Sequence, residues 1–186
     1  MDEIGANYEE IKPEEFSHSL SREKVAMNSN ADILVFITQD VEIKRDDWLE
    51  KLVEPIIINE AQASFSRQLT KYDNIEKYTR EKNYPKESYY VEKKDVDSLG
   101  LRAFFFSDAS SAISTKIFKE LNGYDGKDLP TNEDQYIAYK LIMNGYTISM
   151  KSYINFKKTK GLIRPCFLYI NRKRNSFLSY MLMRLF

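Results

Sequence analysis

The feature that most constrains this chain is Ile33-Leu34-Val35-Phe36-Ile37, five apolar residues in a row that run into Thr38-Gln39-Asp40. Three of the five are β-branched, and the run is too short for an independent helix. It therefore reads as a strand buried on both faces. Such a strand needs helices above and below it, and the neighbouring sequence supplies one. Trp48, Leu49, Leu52, Val53, Ile56 and Ile57 fall on a single helical stripe, with Asp46 and Asp47 at its positive N-terminal end.

The same alternation continues on both sides. Residues 19–30 suit a helix with Ser21 as its N-cap, and residues 63–69, 103–108 and 146–150 read as further strands. Helices are expected at 114–121 and from Asn132, as cap, to Met143, with Asn144-Gly145 as the stop. The charged, tyrosine-rich stretch 70–102 reads as mostly irregular, with a short helix near Ile75 to Lys82; loops of that length are usually functional or mobile. Alternating helices and strands predict an α/β layer architecture with a mainly parallel sheet. In such sheets ligands gather beyond the carboxyl ends of strands, which is where Asp40 falls.

Charge divides the chain. Lysine plus arginine and aspartate plus glutamate both number 28, yet residues 151–186 carry nine basic residues and no acidic one. The first 150 residues are thus net acidic, by nine charges. This split predicts an acidic domain over residues 1–150 and a basic, aromatic tail over 151–186, helical from about 166. The tail mixes Phe167, Leu168, Tyr169, Phe177 and Met181 with Arg172-Lys173-Arg174, a composition suited either to an anionic membrane surface or to packing on the body. No recognised nucleic-acid module accompanies those charges, so nucleic acid is not an expected partner. A single cysteine, Cys166, excludes an internal disulfide framework, and a single histidine, His18, excludes a His-rich zinc site. The acidic, polar start is unlike a signal peptide, and no stretch reaches the about 18 apolar residues of a spanning helix. A cytoplasmic chain, soluble or peripheral at the inner face of the membrane, is expected.

Two places can carry chemistry. A carboxylate directly after a buried strand, Asp40, sits on a rigid element and can bind a hard cation such as Mg²⁺ together with phosphates; an ordinary turn would use the same residue. In Asn132-Glu133-Asp134 two adjacent carboxylates point in different directions from a helix start. One can act as a general base while the other holds a ligand, or both can simply favour the helix N-terminus.

Taken in order, the following segments resemble family 2 glycosyltransferases, and within them the bacterial rhamnosyltransferase-like subgroup. They are Glu15-Phe16-Ser17-His18, Ser21-Arg22, the run from Ala31 to Asp40, Asp47-Trp48-Leu49, Ser66-Arg67-Gln68, Asn83-Tyr84-Pro85-Lys86-Glu87-Ser88, Ser107-Asp108-Ala109-Ser110-Ser111-Ala112 and Asn132-Glu133-Asp134. The likeness covers about residues 8–150. It implies a GT-A fold and inverting transfer of a sugar, rhamnose-like, from a dTDP- or UDP-linked donor. The acceptor would be a hydroxyl of a glycan or lipid-linked molecule in cell-surface polysaccharide synthesis. By the same resemblance Thr38-Gln39-Asp40 is the DXD-like element and Asp40 the ligand of Mg²⁺ or Mn²⁺. Arg22 lies near the nucleotide, Asp134 is the catalytic base, and Asn132, Glu133 and Asp108 contact acceptor or sugar.

The chain departs from the family at both ends. It starts beyond the βα unit that carries the base and ribose contacts, so a truncated GT-A domain with an open edge on its central strand is expected; such an edge invites a partner chain. After Gly145-Tyr146-Thr147-Ile148 the His-containing segment of the subgroup is missing and the sequence diverges. A catalytically inactive fragment serving as an interaction module is the alternative these departures imply.

Overall fold

The computed structural model describes residues 10–38, 41–69, 73, 75–158, 165–170 and 184–185. In chain order these form β1 (Glu10–Ile11), α1 (His18–Asn28), β2 (Ile33–Thr38), β3 (Val41–Ile43), α2 (Trp48–Ile57), β4 (Ala63–Leu69), α3 (Ile75–Asn83) and β5 (Tyr89–Val91). There follow α4 (Val96–Leu99), β6 (Ser110–Ser114), α5 (Thr115–Glu120), α6 (Glu133–Met143), β7 (Ile148–Lys158), β8 (Pro165–Ile170) and β9 (Arg184–Leu185). Single 3-10 turns lie at Pro13–Glu15, Lys93–Asp95 and Gly100–Phe104.

The apolar run forms β2 and is buried on both faces. Leu34 and Phe36 point into a core with Val25, Phe65, Phe118, Ile137 and Leu141, while Ile33 and Val35 meet Trp48, Leu52, Val53 and Ile56 of α2. Each such side chain contributes roughly 1.5–3 kcal/mol through its burial. Helix α2 thus covers one face of the sheet, and α1, α5 and α6 cover the other.

The sheet order is β3-β7-β4-β6-β2-β8, with β5 also on β7. The α/β architecture is as expected, but the sheet is mixed. Within this sheet, among the described residues, only β4 and β7 run parallel; β2–β6, β2–β8, β4–β6, β3–β7 and β5–β7 are antiparallel. A continuous apolar run reports two-sided burial and carries no information on strand direction, which is why composition misled.

Other expectations are corrected locally. Helix α1 is capped by Ser17, whose Oγ accepts from Leu20 N–H at 3.1 Å, while Ser21 reaches back to accept from Ser17 N–H at 3.1 Å. Residues 103–108 are not a strand: Phe104 ends a 3-10 turn and the strand starts at Ser110. Phe105 and Phe106 anchor that turn by edge-to-face contact with Phe65, at 5.8 and 5.3 Å between ring centroids. Stretch 70–102 holds α3, β5 and α4 and is far more regular than expected. Residues 165–170 form a strand where a helix from about 166 was expected, and β8 pairs along all of β2 from Ile33↔Ile170 to Thr38↔Pro165. That pairing removes the expected open edge on β2, because the exposed N–H and C=O groups of a core strand are satisfied by the chain itself. Strand β7 runs through Met150, the point at which the charge changes sign. The tail residues Arg172, Lys173, Arg174, Phe177 and Met181 lie outside the described residues. Among the described residues no helix is long and apolar enough to cross a membrane.

Candidate active site

Three segments distant in sequence bring charged groups together. Helix α1 contributes Arg22, which is 3% exposed. The turn before β6 contributes Asp108, 2% exposed, and the first residue of α6 contributes Glu133, also buried. Arg22 Nη1 donates to Glu133 Oε1 and lies 3.6 Å from Asp108 Oδ2. One buried cation therefore serves two buried carboxylates. A charge at this depth is sustained only by such pairing, since desolvation alone costs several kcal/mol per ion. Burial works against the Arg22 charge, but Asp108, Tyr124 and Glu133 outweigh it and hold the guanidinium firmly protonated.

Asp108 is further held by hydroxyl donors. Ser111 Oγ donates to Oδ1 at 2.8 Å, and the fully buried Tyr124 hydroxyl donates to Oδ2 at 3.2 Å. Burial nonetheless raises the Asp108 carboxyl above its ordinary range, against the pull of Arg22 and with a push from Glu133. Asp134 is half-buried on the next position of α6. Burial first, then the charges of Asp108 and Glu133, push it up to about 7, while the Gln135 N–H at 2.8 Å and Arg22 oppose the shift. A carboxylate titrating near neutrality can take up a proton in one step and release it in the next, as a general base requires. His18 stands at the rim, its Nδ1 3.9 Å from Glu133 Oε1 and its ring edge-on to Phe16.

The β2–β6 register links this cluster to the end of the apolar strand. Ile37 pairs with Ser110, and Thr38 N–H donates to Ala109 O at 3.4 Å, so Thr38 lies beside the turn that carries Asp108. Thr38 Oγ1 is buried and has no hydrogen-bond partner among the described residues. An unpaired buried hydroxyl is costly unless something outside the chain completes it. Gln39 and Asp40 lie outside the described residues, and among those described no group of three histidine, cysteine, aspartate or glutamate side chains could hold a metal. The orphaned Thr38 hydroxyl is an oxygen donor, the kind that Mg²⁺ or Mn²⁺ prefers.

Of the residues singled out in the sequence, Arg22, Asp108, Glu133, Asp134 and Thr38 converge. Asn132 caps α6 without a side-chain cap bond, sits at φ 61°, and is exposed. Asparagine tolerates that left-handed conformation better than most residues. Trp48 is buried in the α2 face as expected, and its indole N–H reaches Ser110 Oγ at 3.1 Å. Tyr84 of the tyrosine-rich stretch is a core residue, 5.1 Å from the Phe105 ring.

Sequence reasoning missed the strap that positions this cluster. Glu23, one residue after Arg22, accepts from Tyr124 N–H at 2.6 Å and from Gly126 N–H at 3.1 Å. Ser17 donates to Asp128 at 2.6 Å, and Ser19 both donates to Lys127 O at 2.7 Å and accepts from Leu129 N–H at 2.8 Å. Helix α1 thereby fixes the loop that leads into α6. Gly123 is required in that loop: its φ is +47°, and a Cβ would lie 2.7 Å from Glu23 Oε1 and 2.9 Å from the Phe118 ring. Nothing local in the sequence ties this glycine to Glu23, 100 residues away.

Comparison with known proteins gives the family. A family model described as glycosyl transferase family 2 matches residues 11–122. The chain is 30% identical over 142 residues to the O-antigen chain rhamnosyltransferase WbaN of Salmonella anatum, an alignment that covers 75% of this chain and 45% of that protein. It is also 30% identical over 146 residues to the O-antigen chain rhamnosyltransferase RfbN of Salmonella typhimurium, with the same coverage of 75% and 45%. The chain thus spans about half the length of the curated relatives it matches. With a family match over more than half of its residues and these rhamnosyltransferase-like relatives, the chain belongs to glycosyl transferase family 2.

Proposed function

We propose that this chain transfers a sugar, rhamnose-like, from a dTDP- or UDP-linked donor to a hydroxyl of a glycan or lipid-linked acceptor, with inversion, in cell-surface polysaccharide synthesis. The observation that carries the proposal is the convergence of Arg22, Asp108, Glu133 and Asp134 beside the carboxyl end of β2, with Asp134 poised near neutral pH. In this reading Asp134 accepts the proton of the acceptor hydroxyl. The freed oxygen forms a bond to the anomeric carbon of the donor sugar, while the bond from that carbon to the diphosphate breaks and the nucleoside diphosphate leaves with the electron pair. Glu133 and Asp108 hold Arg22, and the three together set the charge that Asp134 feels. Asp40, with Thr38 beside it, would hold Mg²⁺ or Mn²⁺, which when bound neutralises charge on the departing diphosphate. In this reading Arg22 takes part through Glu133 and Asp108, both of which it contacts. The reaction belongs to the cytoplasm or the inner face of the membrane, where nucleotide sugars and a basic tail would meet lipid-linked acceptors.

One ground for the alternative of an inactive interaction module was an open edge on a central strand, and β8 occupies that edge of β2. The transferase reading is tested by calorimetric titration with dTDP and UDP, with and without Mn²⁺, followed by a transfer assay with the nucleotide sugar that binds. Metal-dependent binding lost in Asp40→Ala, and transfer reduced about 10²–10⁴-fold in Asp134→Asn, are the expected results. Transfer that survives Asp134→Asn unchanged would remove Asp134 as the base.

A further inference from the structure

Asp108 is a buried carboxylate whose hydrogen-bond donors, among the described residues, are two hydroxyls. Ser111 Oγ serves Oδ1 at 2.8 Å, and Tyr124 serves Oδ2 at 3.2 Å. Arg22 Nη1 stops 3.6 Å from that same Oδ2, and its hydrogen bond goes to Glu133 instead. Tyr124 is held for this contact at both ends. Its backbone N–H donates to Glu23 Oε1 at 2.6 Å, and its ring meets Phe118 edge-on at 5.5 Å between centroids. Burial, and after it the Asp108 charge, keep the Tyr124 hydroxyl protonated, so it remains a donor.

Asp108 and Asp134 compete for a proton. Asp134 is faced by Asp108 in the turn before β6, by Arg22 on α1, by Tyr84 just after α3 and by Glu133 on its own helix; His18 stands beyond Glu133. A charge on Asp108 disfavours a second charge on Asp134, so whatever supports the first leaves the proton on the second. A hydroxyl that donates to a carboxylate supports its charged form. Resting on the transferase reading above, we propose that Tyr124 is a positioning residue: with Ser111, its hydroxyl fixes the charge on Asp108 and leaves the exchangeable proton of the pair to Asp134. Environments that set two neighbouring carboxyl groups apart in this way give one the standing charge and the other the proton transfer. Without the phenol oxygen, Asp108 keeps an unserved lone pair in a buried place and takes up the proton itself, which lets Asp134 ionise early.

Carbon-13 NMR titration of the side-chain carboxyls in Tyr124→Phe and Ser111→Ala tests this without a substrate. The Asp134 midpoint should fall by about one pH unit in Tyr124→Phe and by about half a unit in Ser111→Ala, while that of Asp108 rises. Tyr136→Phe removes the like bond to the exposed Asp125 and should leave Asp134 where it is. In the transfer assay the low-pH limb of kcat should follow the Asp134 midpoint, with KM for the nucleotide sugar unchanged. Tyr124→Phe keeps the ring and the backbone bond to Glu23; should it not fold, Ser111→Ala reports on the same carboxylate. An Asp134 midpoint that rises, or stays within about 0.3 pH unit of the parent, would overturn the role of Tyr124 and leave the transferase reading standing. A midpoint that falls as expected in a chain that binds neither dTDP nor UDP would uphold that role at Asp134 and overturn the transferase reading instead.

Discussion

The loop between Gly123 and Asn132 has a cluster of carboxylate, tyrosine and cation on each side, and the two behave in opposite ways. On the inner side Asp108 accepts from Tyr124 and faces Arg22, all three buried. On the outer side Asp125 accepts from Tyr136 at 2.7 Å and pairs with Lys140 at 2.7 Å, in contact with solvent. The partners are chemically alike. Burial raises the Asp108 carboxyl, whereas Lys140 and then Tyr136 hold Asp125 down at about 2. Desolvation outweighs pairing in one cluster and is outweighed by it in the other. The outer cluster therefore serves to pin the loop, and the inner one supplies a field that reaches Asp134.

The comparison breaks most visibly at Arg22. Replacing it with methionine leaves Asp108 and Glu133 buried without a cation and should cost about 3–5 kcal/mol in urea denaturation at pH 7. Adding Glu133→Gln to that variant should recover part of the loss. A loss below about 1 kcal/mol would mean the pair is not buried as described.

Asp134→Asn gives the next largest effect and one with a distinctive sign. The folded carboxyl titrates near 7, above its unfolded value of about 3.8, so the native state binds the extra proton between those pH values. Stability of the parent chain thus falls as pH rises from about 4 through 7, and the penalty is complete above 7. The uncharged variant escapes it. It should be more stable than the parent at pH 8, by on the order of 2–4 kcal/mol, and equal to it near pH 4. Equal stability of the two at pH 8 would contradict the raised value.

Tyr124→Phe removes one donor from Asp108 and should cost about 1–2 kcal/mol in the same denaturation experiment. The smallest effect belongs to the outer cluster. Asp125 has a lowered value, so its contribution is present above its unfolded range near 4 and disappears as pH falls through about 2. Asp125→Asn should cost less than about 1 kcal/mol at pH 7, and less again in high salt. A salt-insensitive loss of several kcal/mol there would erase the contrast between the two sides.

What could be read in the sequence follows the same division between local and distant information. The β2 run, the α2 stripe and the acidic start of α6 are local patterns, and each forms the element it suggested. Strand β6 escaped because Ser110-Ser111-Ala112-Ile113-Ser114 has no apolar signature; its serines are buried by hydrogen bonds to Ser66, Trp48 and Asp108. Strand direction and the return of β8 to β2 depend on the path of the whole chain. The family resemblance placed Asp108 and Arg22 near the chemistry, but the pairing of Arg22 with Glu133 spans 111 residues and carries no local signal. Tyr124 and Glu23 were missed for the same reason.

The central claim is that the inner cluster holds Asp134 at a value suited to proton transfer, and a carbon-13 NMR titration of side-chain carboxyls over pH 3–9 tests it most directly. The account predicts one aspartate signal with a midpoint near 7 that is absent from the Asp134→Asn spectrum. If every aspartate, Asp134 among them, titrates below about pH 5, the claim is contradicted.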